Sequence, residues 1–210
     1  MRRPRVKICG LTRAEDVALA VRLGADAVGF IFAPSKRQLT LDQARALTPS
    51  APAWTNRVGV FGPWAHGEAA AFAEACRLDT LQFHGAPDLE GLAALRGRFT
   101  VVQAIGIGPD DTWRTTLSTI APHVDAILLD TARPAQLGGT GEAFDWSALD
   151  GLTSPVPVLV AGGLHAGNVA DLLTRHAPYG VDVASGVESA PGIKDATKLQ
   201  AFFEAIRQAG

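Results

Sequence analysis

Cysteine is scarce in this chain: Cys9 and Cys76 are the only two among 210 residues. Two thiols close at most one disulfide and show no zinc-finger spacing, so neither a disulfide scaffold nor a zinc module is expected, and a reducing cytoplasm is the simplest setting. An excess of one charge is missing as well. Nineteen Lys and Arg against 21 Asp and Glu leave a formal net charge of -2. Binding to a phosphate backbone or an anionic membrane surface needs a basic face, so the expected partner is a small molecule, with no nucleic acid and no membrane. No apolar run approaches the roughly 20 residues of a membrane span. The basic start "MRRPRVKICG" is followed by Arg13, Glu15 and Asp16 before any apolar segment of signal-peptide length. Hydrophobic residues make up 47% of the chain, enough at this length for one large core and one domain over 1–210.

What is present is alternation. Short β-branched runs occur at 5–9, 26–32, 57–61, 80–84, 99–105, 124–130, 156–162 and 180–185. Between them lie "RAEDVALAVRLG", "TLDQARALT", "WAHGEAAAFAEACRL", "PDLEGLAALRG", a weaker stretch from Asp110 to Pro122, "DWSALDGL" and "AGNVADLLTRH", and "IKDATKLQAFFEAIRQAG" closes the chain. Most carry apolar residues at three- and four-residue steps, which turns one helix face toward a sheet. Parallel strands with right-handed helical crossovers follow, and eight units in this length are the arithmetic of an α/β fold of the (β/α)₈ TIM-barrel class. An open doubly wound sheet is the rival; no GxGxxG follows the first strand, and polar letters cluster after nearly every strand instead of at one switch point.

Active sites of such barrels are assembled at the carboxyl ends of the strands. Strand one ends in Cys9, strand four in "QFHG", strand six in Asp130, strand seven in "AGGL", and strand eight runs into "ASGVES". A cysteine in an apolar strand is more often a small buried hydrophobe, and Cys76, on a helical segment, keeps that reading. Asp130 terminates "VDAILLD", where a carboxylate is costly unless a partner or a reaction needs it, although a turn or cap would also use it. The Gly-rich pieces "GGTG" (138–141), "AGGL" and "ASGVES" follow the last three strands, where barrels bind phosphate on backbone amides and the start of a short extra helix. "SGVESAPGIKD" has room for that helix, and a phosphorylated substrate is expected. Arg37, in "APSKRQL", is either a solvated loop cation or a bidentate partner for a carboxylate.

With "VKICGLT", "GADAVGFIF", "SKR", "RVGVF", "LQFHG", "LLD", "GGTGEAFDW", "AGGL" and "VDVASGVESAPGIKD" in this order, the chain resembles the phosphoribosylanthranilate isomerase family along essentially its whole length. The resemblance implies an Amadori rearrangement of N-(5-phosphoribosyl)anthranilate to 1-(2-carboxyphenylamino)-1-deoxyribulose 5-phosphate in tryptophan biosynthesis, with no metal and no organic cofactor. It implies Asp130 as general acid and Cys9 as general base. It implies phosphate held around Gly162, Gly163, Ser185 and Gly186, the anthranilate carboxylate held by Arg37, and Gln82, His84 and Asp182 near the ligand. The expected assembly is a monomer or a homodimer. Two departures stand out: "VGVFGPWAHG" where the family often has "VGVFVN", and "FAPSKR", one residue shorter than the commoner "FxPxSxR".

Other phosphate-binding barrels are weighed against this. A histidine-pathway sugar isomerase relies on an aspartate at the end of strand one, where this chain has Cys9, and the same residue disfavours a broad-specificity isomerase. A pentose-phosphate epimerase needs metal ligands that five histidines do not supply. A noncatalytic ligand-binding barrel needs neither Cys9 nor Asp130.

Overall fold

The computed structural model describes residues 3–64, 66–108, 110–131 and 143–209. Eight parallel strands close into a barrel in sequence order, β1 (Arg5–Ile8), β2 (Ala27–Ile31), β3 (Asn56–Phe61), β4 (Thr80–Phe83), β5 (Thr100–Ile107), β6 (Ala126–Thr131), β7 (Val158–Val160) and β8 (Gly180–Val183), with β8 pairing back onto β1. Around them run α1 (Ala14–Leu23), α2 (Leu41–Leu47), α3 (His66–Ala75), α4 (Leu89–Leu95), α5 (Thr112–Ile120), α6 (Val169–His176) and α7 (Ala196–Ala209). Among the described residues no helix is long and apolar enough to cross a membrane.

The period of two along each strand sorts side chains between two cores. One set, including Val6, Ile8, Val28, Phe30, Leu81, Val101 and Ile127, faces the helices and joins the large outer cluster with Leu92, Leu117, Leu172 and Phe202. The other faces the lumen, which is filled by Val102, Ala104, Ala126, Leu128 and Ala161 on one side and Cys9, Val58 and Val60 on the other. Polar groups enter this lumen too, above all Lys7, Gln82 and Asp182, all buried. Cys76 sits in the outer cluster.

Helix ends follow local chemistry. α1 stops at Gly24, which takes φ 110 and donates its N–H to the carbonyls of Ala20 and Val21. Thr40 opens α2 with a capping box, its hydroxyl accepting from the Gln43 amide. Two expected helices take another form. "DWSALDGL" makes only a 3₁₀ turn over Trp146–Leu149, because the left-handed Gly151 and then Pro155 and Pro157 follow at once. The segment after β8 makes a 3₁₀ turn at Ser185–Val187 and then a small antiparallel hairpin, β9 (Glu188–Ala190) with β10 (Ile193–Lys194), turning at Pro191 and a left-handed Gly192. The hairpin sets Glu188 opposite Lys194. "GGTG" (138–141) lies outside the described residues.

Candidate active site

At the carboxyl end of the barrel a cavity is lined by all ten residues singled out from the sequence. Its floor is apolar, with Ile31, Val60, Leu128 and Ala161. Cys9 follows β1 directly, its amide bonded to the Val183 carbonyl at 2.8 Å and its side chain 6% exposed. Burial pushes the Cys9 thiol up, and the nearby Lys7 ammonium offsets part of that. Asp130 lies three strands away round the ring, on β6, and one oxygen accepts the Thr131 amide at 2.8 Å.

The loops after β7 and β8 close the rim. Gly162 and Gly163 both take left-handed φ, 83 and 62, and a Cβ on Gly162 would stand 2.8 Å from an Asp130 oxygen. The Asn168 side chain braces this loop, donating to the Gly163 carbonyl at 3.0 Å and accepting from the His165 amide at 2.8 Å. Ser185 and Gly186 belong to the 3₁₀ turn that follows β8 and face the same cavity. Two loops thus put backbone, small side chains and a helical first turn around one point, a geometry suited to an anion.

Arg37 is no solvated loop cation. It is 7% exposed and lies flat against Glu188, with Nε to Oε1 at 2.8 Å and Nη2 to Oε2 at 2.6 Å. Its Nη1 donates to no acceptor among the described residues. Gly10 makes the passage of this side chain possible, since it takes φ 72 and a Cβ there would be 2.5 Å from the Arg37 Cδ. Glu188 also accepts Lys194 Nζ at 2.9 Å. Burial works against the Glu188 carboxylate, but Arg37 and Lys194 beside it hold its pKa below the usual range. Lys194 is itself lowered by burial, with Glu188 offsetting part of the effect, and its ammonium reaches the Cys9 carbonyl at 2.6 Å and the Ala184 carbonyl at 3.1 Å. Asp16 fastens the hairpin from below, accepting the Lys194 amide at 3.0 Å while Arg13 grips both its oxygens.

Gln82 on β4 and His84 just after it stand on one wall, Nε2 to Nε2 at 2.8 Å. With the amide nitrogen donating, His84 Nε2 accepts and the ring proton is on Nδ1. Burial first, and then the Lys7 charge, push His84 down to about 4, so its ring is neutral at physiological pH. A lowered histidine leaves the unfolded chain binding the extra proton, so this contribution to stability is whole above pH 6.5 and fades as pH falls toward 4. His84→Gln should therefore abolish a loss of about 1–2 kcal/mol between pH 7 and pH 5, the size being reduced because the ring is only half-buried. Urea unfolding of both proteins at the two pH values checks it; equal slopes would refute the shift.

Asp182 binds Lys7 Nζ through Oδ2 at 3.0 Å, while its buried Oδ1 finds no donor among the described residues. Sequence reasoning passed over Lys7, Glu188 and Lys194. The signal for Lys7 was available, a lysine two residues before Cys9 and thus on the same strand face; the pairing of Arg37 with Glu188, 151 residues away, had none. Among the described residues no group of three or more His, Cys, Asp and Glu is placed to hold a metal ion.

A barrel with titratable groups and loops suited to an anion at one mouth has the features of the phosphate-handling (β/α)₈ enzymes. Comparison with known proteins narrows this class. The family model of N-(5'-phosphoribosyl)anthranilate (PRA) isomerase matches residues 6–205. The N-(5'-phosphoribosyl)anthranilate isomerase of Pseudomonas putida (strain W619) is 43% identical over 209 residues, 98% of each chain. A solved phosphoribosyl anthranilate isomerase from Thermus thermophilus superimposes with a TM-score of 0.87 at 37% identity, over 98% of this chain and 100% of that one. Another, solved in complex with reduced 1-(o-carboxyphenylamino)-1-deoxyribulose 5-phosphate, gives 0.84 at 32% identity over 98% and 99%. The chain belongs to the phosphoribosylanthranilate isomerase family.

Proposed function

We propose that this chain, acting as one catalytic domain over 1–210, converts N-(5-phosphoribosyl)anthranilate into 1-(2-carboxyphenylamino)-1-deoxyribulose 5-phosphate by acid/base catalysis alone. The observation that carries the reading is the meeting of Cys9 and Asp130 with the two anion-suited loops around one cavity. Asp130 protonates the furanose ring oxygen, the C1–O bond breaks, and the anthranilate nitrogen lone pair forms the iminium. Cys9 as thiolate takes the proton from C2; that C–H pair becomes the C1–C2 double bond of an enaminol, which tautomerises to the ketone. The iminium acidifies C2, so a thiolate is a competent base for this step.

The phosphate lies on the amides and hydroxyl around Gly162, Gly163, Ser185 and Gly186, and the anthranilate carboxylate meets the Nη1 edge of Arg37, whose other edge Glu188 holds. Asp182 Oδ1, without a donor among the described residues, is suited to accept a sugar hydroxyl, and Gln82 with neutral His84 to position the open chain. The setting is cytoplasmic, where both free cysteines stay reduced, and the protein works as a monomer or a homodimer.

The test is turnover: loss of anthranilate-derived fluorescence against turnover of the histidine-pathway aminoaldose. Activity on the second alone would replace the reading. Arg37→Ala should raise KM more than it lowers kcat, as loss of a charge-assisted contact costs about 1.5–3 kcal/mol, with Arg37→Lys recovering part. Unchanged constants would remove Arg37 from the ligand.

A further inference from the structure

Beneath the thiol lies a buried charge that the acid/base scheme leaves without a task. Lys7 precedes Cys9 by two residues, so both side chains point into the barrel. Lys7 is 3% exposed and donates to Asp182 Oδ2 at 3.0 Å, Asp182 being its paired residue on β8. On the other side, Gly29 of β2 leaves the space that both occupy: a Cβ there would stand 2.9 Å from Cys9 Sγ and 3.2 Å from Lys7 Cε. An ammonium and a carboxylate buried together are a poor device for stability, since well-packed apolar residues of similar volume serve as well or better. A chemical reason for the charge is therefore needed.

We infer that Lys7 is a positioning residue of the isomerisation, whose buried ammonium, held under the sulfur by Asp182, stabilises the thiolate form of Cys9. The inference rests on Cys9 being the base. Lys7 stays protonated throughout; the proton taken from C2 resides on the sulfur, and the lysine supplies only its field.

The other groups around Cys9 do not replace it. Lys194, from the hairpin, directs its ammonium to the Cys9 carbonyl, and Arg37, from the loop after β2, is matched bidentately by Glu188. His84, beyond β4, is neutral, and Asp182 and the more distant Asp130 are carboxyl groups that supply no positive charge. Burial is what chiefly raises the thiol, and Lys7 is the largest influence lowering it, with Asp182 opposing. Burial also disfavours the Lys7 ammonium, but Asp182 and Cys9 outweigh it, so the charge is present when it is needed.

The test is the pH dependence of iodoacetamide alkylation at Cys9 in the whole protein, read by peptide mass mapping so that Cys76 is counted separately. Lys7→Met should move the rising limb to higher pH, with alkylation about tenfold slower at a fixed pH below it for each unit moved. Asp182→Asn should move it to lower pH, because the lysine then faces the sulfur unopposed; Lys7→Arg should stay near the wild type. A role in packing alone predicts no such opposite shifts. A limb unmoved in a folded Lys7→Met protein overturns the inference. Should that variant fail to fold, Asp182→Asn decides, a downward shift supporting the inference and an unmoved or upward one overturning it. An inactive Cys9→Ala with an unmoved limb removes only Lys7, whereas near-wild-type turnover by Cys9→Ala removes the base and Lys7 together.

Discussion

Cys9→Ala and Asp130→Asn should each abolish most turnover while leaving the fold and the affinity for a product analogue largely intact. The two groups reach the cavity from strands three places apart in the ring, so neither can take over the other's proton transfer. Positioned proton transfer contributes roughly 10²–10⁴-fold, and a loss at or beyond the upper end is expected for either change. Because both act in one reaction sequence, the double variant should lose less than the product of the single losses. The raised Cys9 thiol adds a pH signature: only the thiolate accepts the proton, so kcat/KM should climb with pH on its acid side and fall once the general acid is deprotonated. Cys9→Ser should be inactive despite its similar size, a hydroxyl being far harder to ionise. Steady-state kinetics with circular dichroism on the same preparations checks the set; near-wild-type turnover in folded Cys9→Ala would return the cysteine to the role of a small buried hydrophobe.

The second large effect concerns stability. Among the described residues Glu188 is the one carboxylate bonded to both Arg37 and Lys194, and all three side chains are buried. Removing it leaves two buried cations without their counter-charge, so Glu188→Ala should cost about 3–5 kcal/mol, far more than deletion of an exposed ion pair. For a chain of this size that is a fall in Tm of roughly 6–20 °C. Glu188→Gln, which keeps the shape and loses the charge, should retain part. The sign with pH follows from a carboxyl held low in the fold: its contribution is present above the unfolded value near 4.5 and is lost as pH falls through the lower folded value, so the variants should converge on the wild type only in strong acid. Thermal unfolding from pH 7 downward measures this. A Tm within two degrees of wild type at pH 7 would show the network to be energetically idle.

Much of the barrel was legible in the letters. Each expected strand overlaps an observed one, because a strand buried on both faces needs an unbroken β-branched run and these runs recur between periodic helical segments. The misreadings fall where local turn chemistry overrode a short pattern: "DWSALDGL" is too brief before Gly151 and two prolines, and "SGVESAPGIKD" folds at Pro191–Gly192 into a hairpin instead of a helix. Cys9, Asp130 and the Gly-rich loops after β7 and β8 were singled out because strand ends mark the mouth of such a barrel, Gln82, His84 and Asp182 through the family resemblance, and all of them line one cavity.

By itself the sequence determined the class of fold, the end of the barrel that carries the site, and the residue types at its rim. These depend on period, strand number and turn residues, all local properties of a chain. Tertiary structure alone decided that Arg37 is buried against Glu188, that Lys194 supports the Cys9 backbone, and that Lys7 meets Asp182 across 175 residues of sequence. Partners of that separation are chosen by barrel closure, which sets β8 beside β1 in one register and brings the hairpin's Lys194 to the end of β1. Until the ring closes, a charged residue in an apolar strand has no identifiable counter-ion, and the energy of such a pair depends on the desolvation that closure itself imposes.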